Sequence, residues 1–124
     1  MTNLNELQAT AKSVNKLSAR ISDQVTFLEA FFAKLNIGVE TWVELPRNGF
    51  KLGYCPKTSG WHICLDTPEA GVLLFTESKR VLRLEAVPYM SKLIDALLEK
   101  AKKTESSLVE AVTMLDSVLK KLEV

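Results

Sequence analysis

The sequence predicts an α+β fold: a long N-terminal helix, a four-stranded antiparallel β meander and a long C-terminal helix, with the two helices paired antiparallel. Three observations carry that reading. Apolar residues recur at alternating steps of three and four through both terminal thirds of the chain. Between them the period shortens to two. The alternating stretches are separated by tight-turn residues, which makes consecutive strands neighbours in space. The whole chain of 124 residues reads as one α+β domain, with a helix over 2–36, a sheet over 39–76 and helical structure over 79–123.

The first helix follows from Leu4, Leu7, Ala11, Val14, Ser18, Ile21, Val25, Leu28, Phe32 and Leu35, a seam suited to a partner helix and weakened only at Ser18. Leu17, Phe27 and Phe31 widen the stripe beyond what a two-helix seam covers. Asn3 with Glu6 forms a capping box at the start, and Gly38 supplies the left-handed residue that helix ends favour. Alternation then runs through Val39–Leu45 and Phe50–Cys55, joined by Pro46-Arg47-Asn48-Gly49, where Asn-Gly is a strong hairpin signal. A third strand, Gly60–Leu65, follows Pro56-Lys57-Thr58-Ser59, and a fourth covers Val72–Thr76. Val43, Leu45, Phe50, Leu52, Tyr54, Trp61, Ile63 and Leu65 collect on one face, which needs helices over it.

Ser78 reads as the cap of a helical stretch from Lys79. Pro88 either opens the last long helix or kinks a continuous one. Met90, Ile94, Leu97, Ala101, Thr104, Leu108, Ala111, Leu115, Val118 and Leu122 then repeat the seam. Ser107 with Glu110 offers a second capping box, a point near Thr104 where the helix can break and restart. A helix of about 35 residues is roughly 52 Å long, against a diameter of about 35 Å for a compact globule of this size. Two such helices, paired with Leu35 near Met90 and Leu4 near Leu122, therefore predict a four-helix homodimer whose seam includes Leu7, Val14, Ile21, Leu28, Leu97, Leu108 and Leu115.

The net charge of +1 supplies no general attraction for nucleic acid or an anionic membrane. No apolar run approaches a membrane span, and the N-terminus lacks the pattern of a signal peptide. Two cysteines without an export signal point to a reducing cytoplasm. Cys55, His62, Cys64 and Asp66 form one cluster of metal-capable residue types, at spacings that match no zinc finger or ribbon; no metal and no cofactor is expected. His62 is the single histidine, so any Ser-His or Cys-His catalytic pair must include it. Cys64, two residues along the same strand, stands too far away for direct proton transfer, and no carboxylate is obviously placed. The chain is therefore read as no enzyme. Lys12, Lys16 and Arg20, and Lys79, Arg80 and Arg83, are basic groups interleaved with acids, as on a solvated helix face. Trp42 points by alternation away from the Val43 face, toward the side of Glu40, Glu44 and Lys51, where an indole either anchors a partner or ligand or is covered by a second subunit or by the segment after Gly71. Trp42, Glu44 and His62 are the candidate partner- or ligand-binding residues.

The order of long helix, β meander and long helix resembles that of prefoldin subunits, which implies helices projecting from a β body. Ser78-Lys79-Arg80-Val81-Leu82-Arg83-Leu84-Glu85-Ala86, followed by Leu93-Ile94-Asp95-Ala96-Leu97, is similar to a segment of small uncharacterised bacterial cytosolic proteins, which implies a bacterial, cytoplasmic origin and adds no site or known activity. The function expected is a non-enzymatic, self-associating interaction module. Ligand or metal binding on the sheet face and a chaperone-like holdase are the alternatives.

Overall fold

In the computed structural model, which describes residues 2–123, the chain forms α1 (Thr2–Leu35), β1 (Thr41–Glu44), β2 (Lys51–Lys57), β3 (Gly60–Thr67), β4 (Gly71–Leu74), α2 (Arg80–Ala86) and α3 (Met90–Leu122). Short 3-10 turns cover Phe75–Glu77 and Val87–Tyr89. The sheet is the expected meander, β1-β2-β3-β4, antiparallel throughout. Its register places Val43, Leu52, Leu65 and Leu73 in one row and Thr41, Tyr54 and Ile63 in the next.

That face is the core. Leu52, Tyr54, Ile63 and Leu65 are fully buried beneath Val25 and Phe32 of α1, Phe75, and Met90, Leu93 and Leu97 of α3. A fully buried Leu or Ile stabilises the fold by about 1.5–3 kcal/mol. The two long helices divide the work: α1 lies against β3 and the 3-10 turn after β4, α3 against β1 and β2. The ring of Trp61 stacks on Tyr54 at 5.3 Å, and Phe32 sits tilted 5.8 Å from Tyr54.

Several local expectations are corrected. Asn3 lies inside α1 and is not its cap. The left-handed turn that ends α1 begins at Asn36 (φ 41°) and continues at Gly38 (φ 67°). Ser78 does not cap α2: Lys79 is the residue before the helix, and the Ser78 hydroxyl donates instead to the Phe75 carbonyl at 2.6 Å. Pro88 sits in the 3-10 turn between α2 and α3, so the helical segment is jointed there, because proline cannot donate to the preceding turn. No break occurs near Thr104; α3 is continuous to Leu122. Ser107 and Glu110 are both good enough helix formers to be carried through a turn whose neighbours are helical.

The antiparallel pairing of α1 with α3 does not close within one chain. Leu7, Val14, Leu108 and Leu115 are 45–63% exposed. Only the inner seam residues pack on the sheet: Ile21 and Leu28 partly, Leu97 fully. Nor are α1 and α3 packed extensively on each other. Ile37 and Val39, which follow α1, line an open groove of about 490 Å³ with Ala101, Leu108 and Val112 of α3. At its other end α1 leaves the body beside α2, where Arg80 donates to the Ser18 hydroxyl at 2.6 Å. The outer halves of the two helices therefore leave the body at different places.

Candidate functional site

The most organised polar group in the molecule lies at the N-terminal half of β3. β4 pairs only with Cys64–Thr67, so residues 60–63 form an edge with no strand beside it. An open edge leaves backbone donors unmatched. Here α1 takes the place of a strand: Glu29 Oε1 accepts from the Ile63 N–H at 3.2 Å.

The same carboxylate reaches the next residue. Glu29 Oε2 stands 3.4 Å from His62 Nδ1, with both side chains largely buried, 13% and 17% exposed. His62 Nδ1 is a buried atom that makes no hydrogen bond among the described residues; the Glu29 carboxylate is its nearest acceptor but is not aligned for one. A buried ring N–H is costly unless it faces an acceptor, and Glu29 Oε2 is the acceptor nearest to Nδ1, so a proton placed on that nitrogen points toward Glu29. Nε2 is then the free acceptor. It lies 2.8 Å from the Ser59 hydroxyl, which donates to it. Burial pushes the Glu29 carboxyl above its ordinary range, and the adjacent imidazole pulls it back only in part.

Ser59 occupies the two-residue turn Thr58-Ser59 that joins β2 to β3, and it is exposed. Gly60 follows at φ 124°, a conformation that favours glycine. The turn brings Ser59 back over the strand, so residues three apart in sequence meet side chain to side chain. Ser59 and Glu29 were both missed in the sequence reading. The Ser59–His62 spacing across a turn was the one available signal; nothing in the sequence links position 29 to position 62.

Of the other expected site residues, Trp42 is half-buried. It lies against Gly53 on the sheet face opposite the core, and a Cβ at position 53 would collide with its ring. Glu44 is exposed at the end of β1. Cys55 and Cys64 face each other diagonally across β2 and β3, their sulfurs 3.1 Å apart, both buried and both reduced. Burial raises both thiols above their ordinary range, which disfavours the reactive thiolate. Among the described residues no group of three or more His, Cys, Asp or Glu side chains gathers around a possible metal position. Lys12, Lys16 and Arg20 are exposed along α1, while Arg80 and Arg83 are engaged with Ser18 and the Thr76 carbonyl. Among the described residues no helix is long and apolar enough to cross a membrane.

No family model, no curated protein and no solved structure matches the chain. The resemblances to prefoldin subunits and to a bacterial cytosolic segment thus rest on element order and on one stretch of sequence.

Proposed function

We propose that the protein is a self-associating interaction module, a homodimer in which the outer half of α1 from one copy pairs antiparallel with the outer half of α3 from the other. One observation carries it: both outer halves present a regular apolar seam that nothing among the described residues covers. On α3, Leu108, Val112, Leu115, Leu119 and Leu122 are 56–75% exposed, joined by Val109, Met114 and Val118. At roughly 100 Å² apiece these eight side chains offer on the order of 800 Å², the share one partner contributes to an interface of standard size.

The seams match in register. Laid antiparallel, Leu4, Leu7, Ala11 and Val14 of α1 fall opposite Leu122, Leu119, Leu115 and Val112. Leu17 then flanks Ala111, and Thr10 flanks Val118. Apolar flanks call for more than a two-helix coil, and two such pairs related by a twofold axis make a four-helix bundle. The pairing runs between copies because each chain's own two seams leave the body at different places. Dimerisation leaves the sheet face with Trp42 and Glu44 on the outside, available to a further protein. The cytoplasm of a bacterium is the setting this reading carries over from the sequence.

Mixing two variants that each carry one added cysteine, in a Cys55→Ser, Cys64→Ser background, tests the arrangement. Leu7→Cys and Leu119→Cys chains, mixed under mild oxidation, should form a disulfide-linked pair containing one of each. Leu115→Glu should leave a folded monomer by light scattering. A monodisperse monomer of the parent chain at micromolar concentration would overturn the proposal.

A holdase is the second reading, because exposed apolar stripes also suit unfolded clients. In that case the outer helices should suppress aggregation of a heat-denatured protein, and Leu115→Glu should abolish the effect. The regular register favours a defined partner over varied clients. Ligand or metal binding on the sheet face has weaker support, since Trp42 is packed on Gly53 and the two thiols are sealed beneath the surface.

A further inference from the structure

We propose that Ser59, His62 and Glu29 form an acyl-transfer site, with Ser59 as nucleophile, His62 as its general base and Glu29 as the positioning carboxylate, acting on small carboxylic esters. The three groups stand in the order such chemistry requires. The hydroxyl lies 2.8 Å from Nε2, within reach for direct proton transfer. The opposite nitrogen, buried and without a hydrogen bond of its own, has a carboxylate oxygen 3.4 Å away that a small turn of the ring would align. The second carboxylate oxygen is tied to the Ile63 N–H at 3.2 Å, so the acid is held in place by backbone. A nucleophile in reach of a base, and a base oriented by a third group, is the geometric signature of an activated serine on any fold.

Accessibility completes the case. Glu29 and His62 are largely buried, while Ser59 is exposed at the hairpin tip. The supporting pair is thus shielded from water and the reacting hydroxyl is not. The site does not depend on dimerisation, because its three residues belong to one chain.

In the acylation step the Ser59 oxygen attacks the ester carbonyl carbon and its proton passes to His62 Nε2. The bond from that carbon to the leaving oxygen then breaks, and His62 returns the proton to the departing alcohol. Water attacks the acyl-serine in turn, giving its proton to His62. Ser59 leaves the acyl carbon and recovers that proton, so the balance is ester plus water to acid plus alcohol. Glu29 keeps the ring in the Nδ1–H tautomer and in place beside Ser59. Because the serine stands in open solvent, the rate gain should be modest beside that of an enclosed site.

The test uses the full chain with p-nitrophenyl acetate and a fluorophosphonate label. The expected results are a covalent adduct on Ser59 by peptide mass spectrometry and ester hydrolysis that falls at least about tenfold in Ser59→Ala and His62→Gln. Ser59→Ala changes only an exposed turn residue, so it should fold as the parent does. Imidazole alone also hydrolyses this ester, so an unchanged rate in Ser59→Ala, or no adduct on Ser59, overturns the proposal. For Glu29, nitrogen NMR of His62 should show the Nδ1–H tautomer in the parent and a shift toward Nε2–H in Glu29→Gln, together with slower Ser59 labelling. Unchanged labelling in Glu29→Gln would remove Glu29 from the site.

Discussion

The indole of Trp42 occupies the space that any side chain at Gly53 would need. The two residues are paired across β1 and β2, and a Cβ at 53 would fall well inside contact distance of the indole ring. Trp42 is therefore seated on the sheet, one face against backbone, where sequence alternation alone leaves it standing free.

Replacing that glycine should lift the indole off the sheet. Gly53→Ala is expected to destabilise the fold by about 1–3 kcal/mol, the usual cost of overpacking. In a Trp61→Phe background, where Trp42 is the single indole, its fluorescence should move to longer wavelength. Unchanged emission and an unchanged urea midpoint would mean that the ring is not held by this contact.

The Tyr54 hydroxyl donates to the Phe32 carbonyl at 3.2 Å in a buried setting. Phe32 lies in the last turn of α1, where helix carbonyls lack a partner within the helix. Tyr54→Phe removes the donor without changing the shape of the ring. The expected loss is about 1–2 kcal/mol, read by urea denaturation. A loss below a few tenths of a kcal/mol would show that another donor satisfies that carbonyl.

Glu29 sets a pH dependence whose sign follows from its burial. Its carboxyl is raised above the ordinary 4.5 chiefly because the charged form is desolvated. The folded chain thus holds that proton more tightly than the unfolded chain does. Its contribution favours folding at low pH and is lost as pH rises from about 4.5 through the folded value. Glu29→Gln keeps an acceptor for the Ile63 N–H and has no charge to bury. The stability difference between the variant and the parent should therefore move in favour of the variant as pH rises across that window. Parallel stability curves from pH 4 to 8 would contradict it.

Much of the architecture was legible in the chain itself, because periodicity and turn chemistry are local. A seam stepping by three and four can only be a helix that buries one stripe. Alternation broken by Asn48-Gly49 and by Thr58-Ser59 can only be strands folded back on themselves. Leu52, Tyr54, Ile63 and Leu65 fell on the core face because a strand turns each successive side chain to the other side. The jointed segment at Pro88 follows from the missing N–H of that residue.

What the tertiary structure decided is what depends on where elements meet. Whether the two seams touch is set by the points at which α1 and α3 leave the sheet, so the pairing read from matching patterns fails inside one chain. The break proposed near Thr104 was overruled because capping residues act as caps only where the helix on one side of them is already absent. The polar triad shows the same division most sharply. Ser59 and His62 were within three residues of each other in the sequence, but Glu29 joins them only because β4 is too short to cover the edge of β3. An α-helix fills that edge, and a carboxylate comes to rest against a histidine 33 residues further along the chain. Local physics writes the elements, and the contacts that create chemistry arise from how far each element extends across its neighbours.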